Sequence, residues 1–410
     1  MYAPNLPLLT TLAWRNLWRR PRRTAMIVFA LTLGVWSMVV LAALIRGSME
    51  QQITRSIYNL TGHIQVHAPG YRDDPVIEHR LPPPSAAVLN ILKQKQVTAW
   101  ATRVRVPGVI SSERESAGIT LIGINPRQEQ GLSFIGEAVT EGRYLDSIDD
   151  PGLLLGRKLA ERLETKLGWR VVLMSQDVNN QIADRGFRVV GIFDSEPQAM
   201  ETGYVFVSRA VAQQMLKLNQ DVSELALVTP DRNKLETLIA QLQQAAPELD
   251  VQPWTTIEPF LVLTEKVNNV ILLVWYAVVF AAMSFGLINT LLMAVFERTR
   301  EFGLFQALGM PPRHLLGQVL IESLILLFIG LVLGNVTAWI SIVGLKGGID
   351  LSAFAEGLEL IGISPVIYPV LSIGDVIAAN LIVMILGVAA SLYPAWRASR
   401  YVPVEAITRA

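Results

Sequence analysis

Four stretches of this chain are long, apolar and nearly free of charge, and each can cross a bilayer as a single helix. Spanning about 30 Å of hydrocarbon at about 1.5 Å per residue takes roughly 20 helical residues. Residues 24–45 and 270–296 hold no charged side chain, and residues 319–345 and 376–396 complete the set. With 51% hydrophobic and 17% charged residues over 410 positions, the composition is that of a membrane protein. Glu322 is the one carboxylate within these runs, and its place near the start of the third predicts snorkelling or capping rather than a transport role.

Basic residues orient the spans, because short loops rich in Arg and Lys stay in the cytoplasm. Arg15, Arg19, Arg20, Arg22 and Arg23 precede the first run, Arg298, Arg300 and Arg313 separate the second from the third, and Arg397, Arg400 and Arg409 follow the fourth. Between the third and fourth runs Lys346 stands against Asp350, Glu356 and Glu359. Both termini are therefore expected inside, with residues 1–23, 297–318 and 397–410 cytoplasmic and residues 46–269 and 346–375 outside. The first run exceeds the 7 to 15 residues of a signal-peptide core and reads as a retained anchor.

The outer segment, some 220 residues, is long enough for one large domain or two small ones. Alternating or β-rich runs at 63–67, 102–110, 119–124, 170–174, 187–193 and 204–207 predict strands. Helices are expected at 158–167, at 208–218 with Val211, Met215 and Leu218 on one face, and from an N-cap at Asp231 to Ala245. The fold class is thus an α-helical membrane protein with four transmembrane helices plus a large α+β extracytoplasmic domain, in which Leu81-Pro-Pro-Pro84 forms a stiff loop. Without cysteine the domain has no disulfide and depends on a packed core. Met49, Ile53 and Ile57 continue the first span at helical spacing, and Phe260, Leu263, Val267 and Val270 lead into the second. The two stripes either pack together as a stalk or bury separately against the α+β domain.

Motifs for catalysis are missing: there is no phosphate loop, no His-Glu-x-x-His and no Gly-x-Ser-x-Gly elbow. His63 and His67 form the one close histidine pair, but four residues apart on a strand is about 13 Å, too far to share a metal. A formal net charge of zero gives no global field for nucleic acid. Gly330-Leu-Val-Leu-Gly334 is a small-residue patch suited to close helix packing, and is weak support for a dimer.

The informative segment is Glu297-Arg-Thr-Arg-Glu-Phe-Gly-Leu-Phe-Gln-Ala-Leu-Gly-Met310, charged at one end and amphipathic, with Phe302, Phe305 and Leu308 or Gly309 at helical spacing. By physics alone it is an interfacial helix. It also resembles the cytoplasmic loop of the MacB/FtsX-like ABC permease family, whose pattern is close to Glu-Arg-x-x-Glu-x-Gly-x-x-x-Ala-x-Gly. Leu392-Tyr-Pro-Ala-Trp-Arg-Ala-Ser-Arg-Tyr-Val-Pro-Val-Glu-Ala-Ile407 is similar to the family's closing motif. Gly62-His-Ile-Gln-Val66, Gly152-Leu-Leu-Leu-Gly-Arg-Lys-Leu-Ala160 and Val189-Val-Gly-Ile-Phe193 resemble the lipoprotein-releasing, LolC/LolE-type branch.

The resemblance implies a MacB-like periplasmic core domain, an inner-membrane location, and a permease that is not itself an enzyme. It implies that the loop is a coupling helix, with Phe302, Leu304, Phe305 and Leu308 as its apolar docking face, Arg300 and Glu301 at the rim, and Gly309 at its end. Expected partners are a separate cytoplasmic ABC ATPase carrying ATP and Mg, a second or related permease, and a lipoprotein with its periplasmic carrier or adaptor. No cofactor is expected on this chain. Macrolide-exporter permeases carry a fused ATPase, whereas about 23 residues precede the first span here. The alternatives are an efflux permease for macrolides or peptides, an FtsX-like transmitter acting on a cell-wall hydrolase, and a membrane-anchored receptor or adhesion module.

Overall fold

Pro21 opens the first of four long helices, Pro21–Ser56, at a position where its missing N–H costs nothing. Pro259–Glu297, Pro312–Gly344 and Ile373–Ser399 follow, and all four are long and apolar enough to cross a membrane. The computed structural model describes residues 6–195, 198–354 and 364–399, and it divides into a unit of residues 1–51 with 263–410 and a unit of residues 52–262. Glu356, Glu359, Arg400, Arg409 and the end of the closing motif from Arg400 to Ile407 lie outside the described residues.

Small residues set the packing of the helical unit. A Cβ on Gly330 would lie 2.5 Å from Leu31 Cβ, and one on Gly334 would lie 2.6 Å from Val35 Cβ. The small-residue patch of the third helix is therefore used inside the chain, against the first. Gly34 meets Met283 of the second helix, and Gly387 of the fourth meets Leu327 of the third. Asn335 and Asn380 exchange amide hydrogen bonds between the third and fourth helices, Asn335 donating at 2.7 Å and Asn380 returning at 3.2 Å. Each amide also donates to the carbonyl four residues before it, Leu331 and Val376, so the amide protons are used within protein. Arg46 grips Asp375 through two bonds of 2.7 and 3.0 Å. Beside it Gly47 lets the backbone at Tyr368 approach the first helix, since any Cβ there would strike the Tyr368 carbonyl.

The second helix turns a different face inward from the one its spacing suggests. Leu272, Tyr276, Met283, Leu287 and Leu291 are buried, and Asn268 Nδ2 lies 3.9 Å from Met49 Sδ. Leu263, Val267 and Val270 are exposed, so in this unit the expected packed stripe does not form.

The inserted unit is α+β. Its ten-stranded sheet runs in the order Asp250–Pro253, Ile64–His67, Glu224–Val228, Ala99–Ser111, Ser116–Ile124, Tyr204–Ser208, Gly152–Gly156, Ile182–Phe193, Val139–Gly142, with Arg170–Gln176 bridging Ala99–Ser111 and Ile182–Phe193 off that path. Most pairs are antiparallel; Ser116–Ile124 with Tyr204–Ser208 and Gly152–Gly156 with Ile182–Phe193 are parallel. Helix Arg209–Leu216 packs Val211 and Met215 into the core, as their spacing predicts. The helix expected over 158–167 is shorter, Arg157–Arg162, because Glu164 adopts a left-handed φ of 47°. Helix Leu235–Ala245 starts after a 3-10 turn, and Lys234, not Asp231, takes its N-cap position.

A buried ionic cluster sits in this unit. Arg103, fully buried, donates to Glu129 at 2.7 and 2.9 Å, to Glu224 at 2.9 Å and to the Leu60 carbonyl at 2.6 Å. Burial alone would lower the Arg103 pKa, but Glu129 and Glu224 hold it above its ordinary value, and Arg103 with Arg105 holds the buried Glu224 carboxyl below its own. Leu60 itself has a φ of 80°, in the turn that ends the first long helix. The cluster thus pins a left-handed turn that an apolar core could not satisfy.

Candidate functional site

The amphipathic segment between the second and third long helices folds as a short helix, Thr299–Ala307, headed by Arg298 and stopped at Gly309, whose φ is 92°. Two faces follow from the helical period. Phe302 is 1% exposed and packs with Val295, Leu315, Val319, Ala395 and Ala398, while Phe305 is partly buried beside it. Opposite them, Leu304 is 53% and Leu308 78% exposed, with Arg300 and Ala307 on the same side.

The buried face is fixed by charge as well as by apolar area. Arg298 Nη1 donates to Glu322 at 2.9 Å, Nε donates to Glu301 at 3.2 Å, and the guanidinium lies 5.1 Å from the Phe302 ring centre. Glu322 is 6% exposed and also accepts from Asn16 Nδ2 at 2.9 Å. Asn16 belongs to an amino-terminal helix, Leu6–Leu17, in front of the first span. Arg19 reaches Glu301 at 3.0 Å, Arg23 reaches Glu297 at 2.9 Å, and Arg20 also pairs with Glu297. These groups line a cleft of about 220 Å³. Burial would raise the Glu301 carboxyl, but its bonds to Arg298 and Arg19 hold it below the usual carboxylate range. Exposed pairs such as Arg19 with Glu301 contribute little singly, whereas the pair at Glu322 is shielded from water.

Of the residues singled out from the sequence, Arg300, Leu304 and Leu308 share the open face, Glu301 sits at its edge, and Gly309 ends the helix. Phe302 corrects the expected docking face, because its ring is inside the protein. Glu322 does not snorkel to water; it is paired. The sequence reading misses Arg298, Asn16 and the arginines at 19, 20 and 23 as members of this site, since their partners lie up to 306 residues away. The available signal was complementarity between the arginine run and the acidic 297–301 stretch.

The histidines are structural. His63 Nδ1 accepts the Thr229 N–H at 3.2 Å, and His67 stacks on Tyr71 at 4.7 Å with Nε2 2.9 Å from Gln65 Oε1. Among the described residues no group of three potential ligands could hold a metal ion.

Two family models match the chain: a MacB-like periplasmic core domain over residues 24–245 and an FtsX-like permease C-terminal region over residues 273–403. The chain is 23% identical to the lipoprotein-releasing system transmembrane protein LolC of Neisseria meningitidis serogroup B over 94% of its own length and 93% of that protein. It is 24% identical to the pyoverdine export ATP-binding/permease protein PvdT of Pseudomonas syringae pv. tomato, over 97% of its own length but 58% of that protein. The crystal structure of the periplasmic region of MacB from Actinobacillus actinomycetemcomitans is 13% identical and covers 51% of this chain and 97% of that one, with a TM-score of 0.36. The four long helices, the α+β insertion and the 24–245 match together establish that the chain belongs to the MacB/FtsX-like family of ABC transporter permeases.

Proposed function

We propose that this permease works with a separate ATPase that docks on the Thr299–Ala307 helix, and that the pair extracts lipoproteins from the inner membrane for a periplasmic carrier. The carrying observation is the division of that helix: one face is held by its own chain, while Leu304 and Leu308 are exposed on the opposite side with Arg300 and Ala307 beside them. An exposed apolar patch on a rigidly held element fits a partner groove. In this reading the arginine-rich ends lie in the cytoplasm, ATP and Mg²⁺ bind the partner subunit, and a second permease completes the assembly. LolC, similar along nearly its whole length, supports the lipoprotein reading. PvdT, a pyoverdine export protein, matches at similar identity and supports a second reading, export of a small molecule.

The test is retention of the ATPase subunit on the purified permease. Leu304→Ala with Leu308→Ala removes both exposed anchors and should cost about 2 kcal/mol or more, or roughly 30-fold in binding, if they form the hot spot. Ile182→Ala, at a side chain 79% exposed on the inserted domain, should cost nothing. Equal retention by the double variant and the control would exclude this docking face. Lipoprotein, rather than a hydrolase or an exporter adaptor, should accompany the intact complex.

A further inference from the structure

We propose that Glu322 is a positioning residue that makes the third long helix follow the Thr299–Ala307 helix when the latter is moved; the proposal rests on the docking reading above. Leu315, Val319 and Glu322 fall on one face of Pro312–Gly344 at helical spacing. The first two close around Phe302, and the third holds Arg298, the residue at the head of the short helix. The third helix therefore meets the short helix through the apolar cluster at Phe302 and, a turn further along, through the ionic contact at Arg298.

The two contacts respond differently to displacement. Apolar packing is non-directional, so the Phe302 contact with Leu315 and Val319 does not by itself fix how the third helix is carried. A carboxylate that is 6% exposed cannot release its cation without being left buried and uncompensated. Asn16 Nδ2 is a neutral second donor and does not replace the charge. Displacing Arg298 thus costs least when Glu322, and the rigid helix carrying it, moves too. Helix Pro312–Gly344 has no internal proline or other break to absorb that motion. Ile340, 18 residues along from Glu322 and about 27 Å away at the helical rise, would then report it.

Because the chain has no native cysteine, single-cysteine probes carry no background. Thr299→Cys, half-buried at the start of the short helix and off its open face, and Ile340→Cys, exposed, would each be labelled with an environment-sensitive fluorophore in the complex with its ATPase subunit. In the parent, ATP should change both signals. Glu322→Gln keeps the size and an acceptor for Asn16 but removes the charge. It should retain the ATPase subunit within twofold and keep the Thr299→Cys response, while the Ile340→Cys response falls at least fivefold. The exchange Arg298→Glu with Glu322→Arg should restore more than half of it. An Ile340→Cys response within twofold of the parent would overturn the proposal, and so would loss of ATPase retention in Glu322→Gln or an exchange variant no better than the single one. A parent in which the Thr299→Cys probe ignores ATP would instead sink the docking reading itself.

Discussion

His63 accepts a backbone N–H through its ring nitrogen, an arrangement that requires that nitrogen to be unprotonated. Burial, with Arg232 adding to it, lowers its pKa from 6.5 to about 4, and burial lowers His67 as well. A base with a lower pKa when folded binds fewer protons than the unfolded chain between about pH 4 and pH 6.5, so stability falls as pH drops through that window and is flat above it. His63→Asn keeps an acceptor for Thr229 and removes the titration. Chemical unfolding of the full chain followed by fluorescence should show a shallower loss for the variant below pH 6.5, by up to about 1.4 kcal/mol per pH unit. Identical pH profiles would contradict the buried, neutral ring. At this scale the sequence is legible where the argument is geometric: four residues along a strand separate His63 from His67 whatever the fold. It is not legible where two apolar faces compete. Phe302 and Leu304 are both large and apolar on the same short helix, and burial is decided by Leu315, Val319 and Ala395, which no local pattern connects to them.

Among elements, the four long helices are readable because composition and length suffice, whereas their inward faces are not, because lipid is as apolar as leucine. The stripe ending at Val270 is as regular as any in the chain, yet Leu272 and Tyr276 are the buried neighbours. Strands read from alternation are recovered close to their expected bounds, such as Ala99–Ser111 and Tyr204–Ser208. Gly152–Gly156 is not read as a strand, since its five residues are all buried and show no alternation. Small residues are the better guide to helix contacts. Gly334→Leu would drive a side chain into Val35 and the Thr32 carbonyl, so overpacking should destabilise the purified protein by about 1 to 3 kcal/mol. Gly286→Ala, in the second long helix with open space around its Cβ, should be neutral or slightly stabilising. Thermal denaturation in detergent compares the two, and equal melting would mean that the first and third helices do not pack through Gly334.

At the scale of the whole molecule, the chain order explains why one unit is built from two separated segments. The inserted unit, residues 52–262, interrupts the helical unit after its first long helix and before its second. Both crossings made by that interruption are continuous helices, Pro21–Ser56 and Pro259–Glu297, so the insertion must leave the bilayer on the side where those two helices meet it. Arg19, Arg20 and Arg23 lie at the other end of the first helix and pair with Glu297 at the far end of the second and with Glu301 of the short helix. The arginines and the short helix therefore share one side, which on the positive-inside rule we propose to be the cytoplasm. Ile182, 79% exposed in the insertion, and Leu308, 78% exposed on the short helix, mark the two sides. A membrane-impermeant maleimide added to intact spheroplasts should label Ile182→Cys at once and Leu308→Cys only after permeabilisation. The reverse pattern would place the short helix outside and remove any cytoplasmic ATPase from its reach. Labelling of both positions from outside would contradict the single crossing, Pro259–Glu297, that separates them.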